Sequence, residues 1–210
     1  MKKKKVIVFT TGRADFYLLS LLVEKLNNSN KFKSFLAATG NHFDKKKGNT
    51  FKEISKRFKI DYKIPFKDKK GDKINIINQI SLAFKIISKI FSKIKPDAII
   101  VLGDRFELIP ITYNALILNI PIVHLQGGEI TEGAIDDSIR HSVTKISNIH
   151  FVCNKIYRKR IINMGEDPKN VYNVGGIGAE LISKQSLFSK KELEKILKLK
   201  LDKDVITVSL

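Results

Sequence analysis

With 210 residues, 43% of them apolar and only 5 proline, the chain can bury one good-sized core, or one core and the beginning of a second. Its single cysteine, Cys153, excludes an internal disulfide and a thiolate zinc cluster and suits a reducing compartment. The formal charge of +18 is scattered through KDKKGDK, DKKKGN, FSKIKP and FSKKELEKILKLKLDK, with no arginine-rich helix and no aromatic and glycine pattern of an RNA-binding sheet; these runs read as solvated surface, and no nucleic-acid partner is expected.

Met1 and four lysines precede only a short apolar stretch, too short for a signal-peptide core, and no run approaches the ~18 apolar residues of a membrane span. A cytoplasmic protein without membrane association is expected. Lys5 to Thr10 (KVIVFT) is a β-branched run without alternation, the mark of a strand buried on both faces of a parallel sheet. A helix is predicted from Ala14 to Asn27, a strand from Phe32 to Thr39, a small helix near Phe51 to Phe58 and a short strand from Asp61 to Pro65.

From Asn75 to Lys95, Ile77, Ile80, Phe84, Ile87, Phe91 and Ile94 step by three and four, giving one helical stripe that Pro96 stops. Ala98 to Leu102 (AIIVL) is another buried strand, followed by a helix from Phe106 to Leu118 and the strand Ile122 to Leu125 (IVHL). Ile135, Ile139, Val143 and Ile146 share a helical face before the strand Ile149 to Cys153. A lysine-rich helix, Lys190 to Leu201, precedes a last apolar run, Val205 to Leu210. Alternation of strand and helix predicts an α/β fold with a doubly wound parallel Rossmann-like sheet. The expected organisation is a domain over 1–185, a helical connection over 186–204 and, over 205–210, the first strand of a second domain that continues beyond this chain.

Ligands of such sheets bind outside the carboxyl ends of the strands. There the chain places Thr11, Gly12, Arg13 and Asp15; Gly40, Asn41 and His42; Gly103, Asp104, Arg105 and Glu107; and Gln126, Gly127, Gly128, Glu129, Thr131 and Glu132. Glycines admit close backbone approach and helix N-termini favour anions, so the site reads as built for a polar, phosphorylated ligand. On the following helix, Asp136 and Arg140 lie about 60° and 100° round from Ile139, whereas Asp137 and His141 fall on the far side, where they can form a solvated i,i+4 pair. His124, inside a strand, reads as a hydrogen-bonded core histidine. GGIGAE lacks a complete dinucleotide fingerprint, and no P-loop, zinc helix or nucleophile elbow occurs.

TTGRAD, TGNH, GDRFE and above all HLQGGEITEGAIDDSIRHSVTKISNIHFV resemble the hydrolysing UDP-N-acetylglucosamine 2-epimerases of sialic acid synthesis and their relatives acting on UDP-diacetamidobacillosamine for legionaminic acid. The likeness runs on through IINMGEDPKNVYNVGGIGAE. It implies the first half of a GT-B-type two-domain fold, with a nucleotide sugar between two Rossmann-like halves and further grip on uridine diphosphate from the second half. The implied reaction abstracts the C2 proton as UDP leaves, then adds water to the resulting 2-acetamidoglucal to free N-acetylmannosamine; neither metal nor other cofactor is implied.

The same resemblance assigns Asp104, Asp136 and Glu129 to acid/base work and Arg13 to the diphosphate, with Asp15 orienting Arg13 or a sugar hydroxyl. It gives binding or orientation to His42, Arg105, Gln126, Gly127, Gly128, Arg140 and His141, and expects a homo-oligomer when the protein is complete. Gln126 stands where mammalian and non-hydrolysing relatives place a glutamate; a glutamine cannot titrate, so Glu129 must take over any proton transfer there, or the activity is impaired. The competing expectation is a catalytically silent fragment holding half a cleft.

Overall fold

The computed structural model describes residues 2–44, 48, 50–66, 72–184 and 186–201. Seven strands form one sheet in the order β3-β2-β1-β4-β5-β6-β7, every neighbouring pair parallel. They are β1 (Lys4–Thr10), β2 (Phe32–Gly40), β3 (Tyr62–Pro65), β4 (Ala98–Leu102), β5 (Ile122–Leu125), β6 (Ile149–Val152) and β7 (Val171–Asn173). The doubly wound α/β architecture read from the sequence is therefore present.

The unbroken apolar run of β1 has a simple cause. Its alternate residues enter opposite layers: Ile7 and Phe9 pack beneath α3 (Lys73–Ile94) and α4 (Leu108–Ile117), while Val6 and Val8 pack against α1 (Arg13–Asn27) and α2 (Phe51–Arg57). Each of these side chains, fully removed from water, contributes roughly 1.5–3 kcal/mol of transfer free energy. On α1 the buried positions Phe16, Leu19, Val23 and Leu26 recur by three and four, so one stripe of that helix is spent on the sheet.

The stripe expected along α3 is only half used. Ile87, Phe91 and Ile94 are buried and Ile80 packs partly against the core, but Ile77 is 59% exposed. Asp72 caps that end by accepting hydrogen bonds from the Ile74 and Asn75 amides, and the helix stops at Lys95, with φ of 49°, before Pro96. The helix expected to begin at Phe106 starts at Leu108 because residues 106 and 107 form a turn.

Downstream lie α5 (Ile135–Ile146), α6 (Lys155–Asn163), α7 (Ile177–Ser183) and α8 (Lys190–Leu197). The chain divides into two compact units, Met1–Ile177 and Gly178–Leu210. In the second, Ser189 and Glu192 form a reciprocal cap on α8. This helix ends at Leu197 rather than Leu201, with Lys198 in the left-handed region at φ 54°. The strand expected at Val205–Leu210 lies outside the described residues.

Candidate active site

Strand order reverses between β1 and β4, so the connections leaving their carboxyl ends diverge and leave a crevice. A cavity of about 510 Å³ fills it, lined by Arg13 and Asp15 after β1, Asp104 and Arg105 after β4, Gln126 and Glu129 after β5, and Arg140 from α5. Three arginines thus face three carboxylates. Asn41 and Thr50 close the β2 side.

Asp15 does not pair with Arg13, contrary to the expectation that it orients that arginine. Its carboxylate, 7% exposed, accepts from the Thr10 and Thr11 hydroxyls at 2.5 and 2.6 Å and from the Thr11 and Gly12 amides at 2.6 and 3.1 Å. It ties the β1–α1 turn shut and satisfies amides at the helix start. Arg13 is left exposed at the cavity wall, its guanidinium 5.9 Å from the centre of the Tyr17 ring. His42 stands behind this turn, fully buried. The Thr10 hydroxyl gives its one proton to Asp15, so His42 Nε2–H donates to Thr10 Oγ1 (2.9 Å) while Nδ1 accepts from Thr50 Oγ1 (2.7 Å). Burial lowers the His42 pKa against the pull of Asp15, and the ring supports the cavity wall without lining it.

Across the crevice Arg140, 5% exposed, donates through Nη2 to Asp104 and to Thr131 Oγ1 (2.9 Å), and its Nη1 lies 3.5 Å from Asp137 Oδ1. This joins the β4 loop to α5. Nη1 is buried without a hydrogen bond among the described residues. Arg105 makes a fork on Glu107, Nε to Oε2 at 3.1 Å and Nη2 to Oε1 at 2.8 Å. Asp136 is half-buried at the start of α5 and lies outside the cavity lining, although its charge acts on Arg105. Asp137 and His141 form the i,i+4 pair expected, at 3.6 Å, but Asp137 also reaches Arg140 and accepts from the Thr131 amide.

His124 sits within β5, fully buried. Its Nε2 can only donate to the Gly103 carbonyl, at 2.8 Å, so Nδ1 accepts from Thr144 Oγ1 at 3.2 Å; burial lowers its pKa to about 4 and keeps the ring neutral. The expected core role of His124 is therefore present, and it fastens the β4 loop to α5. Gly127 and Gly128 are bare for an inward reason: a Cβ on Gly127 would crowd His124 and Thr144, and one on Gly128, at φ 80°, would meet the Tyr157 carbonyl. Gln126 takes the left-handed conformation, φ 59°, although it is not glycine.

Sequence reasoning gave Cys153 no place in the site. Its Sγ lies 3.7 Å from Glu129 Oε1, and burial, then the Glu129 charge, raises its pKa, so the thiol keeps its proton and donates. Its place at the end of β6, beside the β5 loop, was the available signal. Glu107 was noted at the strand end but given no task. Among the described residues no three His, Cys, Asp or Glu side chains gather in a metal-holding arrangement.

The family model of UDP-N-acetylglucosamine 2-epimerase matches residues 24–210. A GDP/UDP-N,N'-diacetylbacillosamine 2-epimerase (hydrolyzing) of Campylobacter jejuni is 43% identical over 209 residues, covering 100% of this chain and 54% of its own. A UDP-N,N'-diacetylbacillosamine 2-epimerase (hydrolyzing) of Legionella pneumophila is 33% identical over 180 residues, 85% of this chain and 48% of its own. In fold, the crystal structure of UDP-GlcNAc 2-epimerase from Neisseria meningitidis bound to UDP-GlcNAc superimposes with a TM-score of 0.74 at 17% identity, covering 93% of this chain and 52% of that one. The chain spans about half the length of these relatives, and its fold is that of the first Rossmann-like half of a GT-B-type molecule.

Proposed function

This chain belongs to the UDP-N-acetylglucosamine 2-epimerase family, and on that premise we propose that the complete protein is a hydrolysing 2-epimerase of a UDP-linked 2-acetamido sugar. The observation that carries the reading is the convergence of Arg13, Arg105 and Arg140 with Asp104 and Glu129 in the switch-point cavity. Elimination needs a base on one face of the sugar and positive charge where the diphosphate departs; hydration then needs a proton donor and a water. In the first step the C2–H electron pair forms the C1–C2 double bond as the C1–O bond to UDP breaks. In the second, hydroxide adds to C1 and a proton to C2 on the opposite face.

Glu129 is the carboxylate that takes the proton-transfer task, because Gln126 beside it cannot titrate. Asp104, fixed by Arg140, is the second acid/base group, and Asp136, outside the cavity lining, a third. Arg13 and Arg105 meet the diphosphate. The identities with the Campylobacter and Legionella proteins favour UDP-N,N'-diacetylbacillosamine as the sugar; the family's name and the Neisseria fold neighbour favour UDP-N-acetylglucosamine as the second choice. Either product would feed a cytoplasmic route to sialic- or legionaminic-type acids. The 210 residues alone, half the length of the relatives, are expected to be silent.

Full-length protein incubated with each sugar nucleotide in heavy water, followed by proton NMR, tests the reaction. Release of UDP together with a free 2-epimeric sugar carrying deuterium at C2 is the expected result. UDP release without deuterium at C2, or an epimerised sugar still bound to UDP, would contradict hydrolysing elimination.

A further inference from the structure

Glu107 is the least exposed carboxylate at the crevice, with its side chain 1% accessible, and the reaction outlined above gives it no task. It opens α4, yet its side chain makes no cap bond to that helix. Both oxygens are instead taken by Arg105, whose side chain is 36% exposed and lines the cavity. The fork engages two of the five guanidinium N–H groups and leaves three for other acceptors.

The chain makes room for this arrangement at a distant point. Gly40, at the end of β2 with φ 61°, lies directly over Glu107; a Cβ there would overlap Glu107 Oε1 and the Thr11 carbonyl. Burial drives the Glu107 pKa up and Arg105 pulls it back, while the carboxylates of Glu107, Asp15 and Asp136 hold the Arg105 charge against its own burial. A carboxylate buried in this way needs its arginine, and an arginine held by two parallel bonds cannot swing.

We propose that Glu107 is a positioning residue that aims the free N–H groups of Arg105 at an anionic oxygen of the nucleotide sugar. The proposal rests on the reading of the site as a nucleotide-sugar cleft. It predicts coupling: without Arg105, Glu107 has nothing to aim.

The test uses the full-length protein and its E107Q, E107D and R105K variants, with E107Q also made in the R105K background. Dissociation constants for both UDP-sugars are read by calorimetry, kcat and KM by UDP release, and folding by melting temperature. E107Q and E107D, which lose the charge or the reach of the fork, should each weaken binding and raise KM by about tenfold with a smaller change in kcat. In the R105K background E107Q should not weaken it further. Wild-type constants in both E107Q and E107D, or effects that add in full to those of R105K, would overturn the positioning role. Wild-type protein that binds a UDP-sugar without releasing UDP would overturn the reaction alone and leave the coupling to decide on Glu107. Wild-type protein that binds neither sugar nucleotide would overturn both.

Discussion

The two ends of the sheet carry similar charges to different effect. At the amino ends of the strands, Lys4 Nζ meets Asp97 at 2.9 Å and the same carboxylate accepts the Lys5 amide, with side chains 70% and 39% exposed for the ion pair. That cluster fastens the start of β1 to the start of β4 and is complete. At the carboxyl ends, Arg140 and Glu107 are buried; Arg140 is held by Asp104 from the β4 loop and Glu107 by Arg105 two residues before it, while Arg140 Nη1 makes no hydrogen bond among the described residues. Closed pairs in water secure an edge; fixed pairs with spare capacity out of water make a site.

The sharpest way to break this contrast is Asp104→Asn in the full-length protein. It should cost about 10²–10⁴-fold in kcat with the fold retained, whereas Lys4→Gln should leave kcat alone. Equal kinetics in wild type and Asp104→Asn would show that the carboxyl end is merely another fastening. Arg140→Met comes next: it strands Asp104, whose side chain is 23% exposed, and should cost about 2 kcal/mol in urea unfolding, less than a fully buried pair would. A loss no larger than that of Lys4→Gln would put both ends in the same class.

A smaller effect separates them by pH. The folded-state pKa of His124 is lowered to about 4 from 6.5, so below about pH 6.5 the unfolded chain binds a proton that the folded chain refuses. Its contribution is complete above that pH and is lost as the pH falls toward 4, roughly 2 kcal/mol being gone by about pH 5. His124→Gln should flatten the dependence of urea stability on pH in that window; an unchanged slope would remove the assignment. Smallest of all, Asp97→Asn should leave the melting temperature within experimental error, although the carboxyl's pKa is lowered by the Lys5 amide and Lys4. A clear drop would mean that the amino-end cluster does more than trim an edge.

The fold was largely legible because buried parallel strands leave continuous apolar runs. AIIVL and IVHL coincide with β4 and β5, residue for residue. The convergence of charged loops was legible too, since the doubly wound topology dictates where strand ends meet. Partner choice was not. Asp15 and Arg13 are neighbours in sequence, yet the Thr10 hydroxyl, drawn in by a histidine from the next strand connection, helps take Asp15 away. The helical wheel set Asp137 apart from Arg140, but a three-residue step and a long guanidinium bring them together. The left-handed Gln126 had no signal, because no glycine marks it.

The balance of charge on the cavity wall has a kinetic consequence. Arg13, Arg105 and Arg140 against Asp15, Asp104 and Glu129 leave that wall formally neutral, while the chain as a whole carries +18. A dianionic ligand of the kind proposed above would therefore be drawn from a distance by the lysines and released on terms set by the cavity. Added salt, which screens over about 10 Å at 0.1 M, should slow its arrival and barely hasten its departure, so capture and grip are tuned by different parts of one sequence.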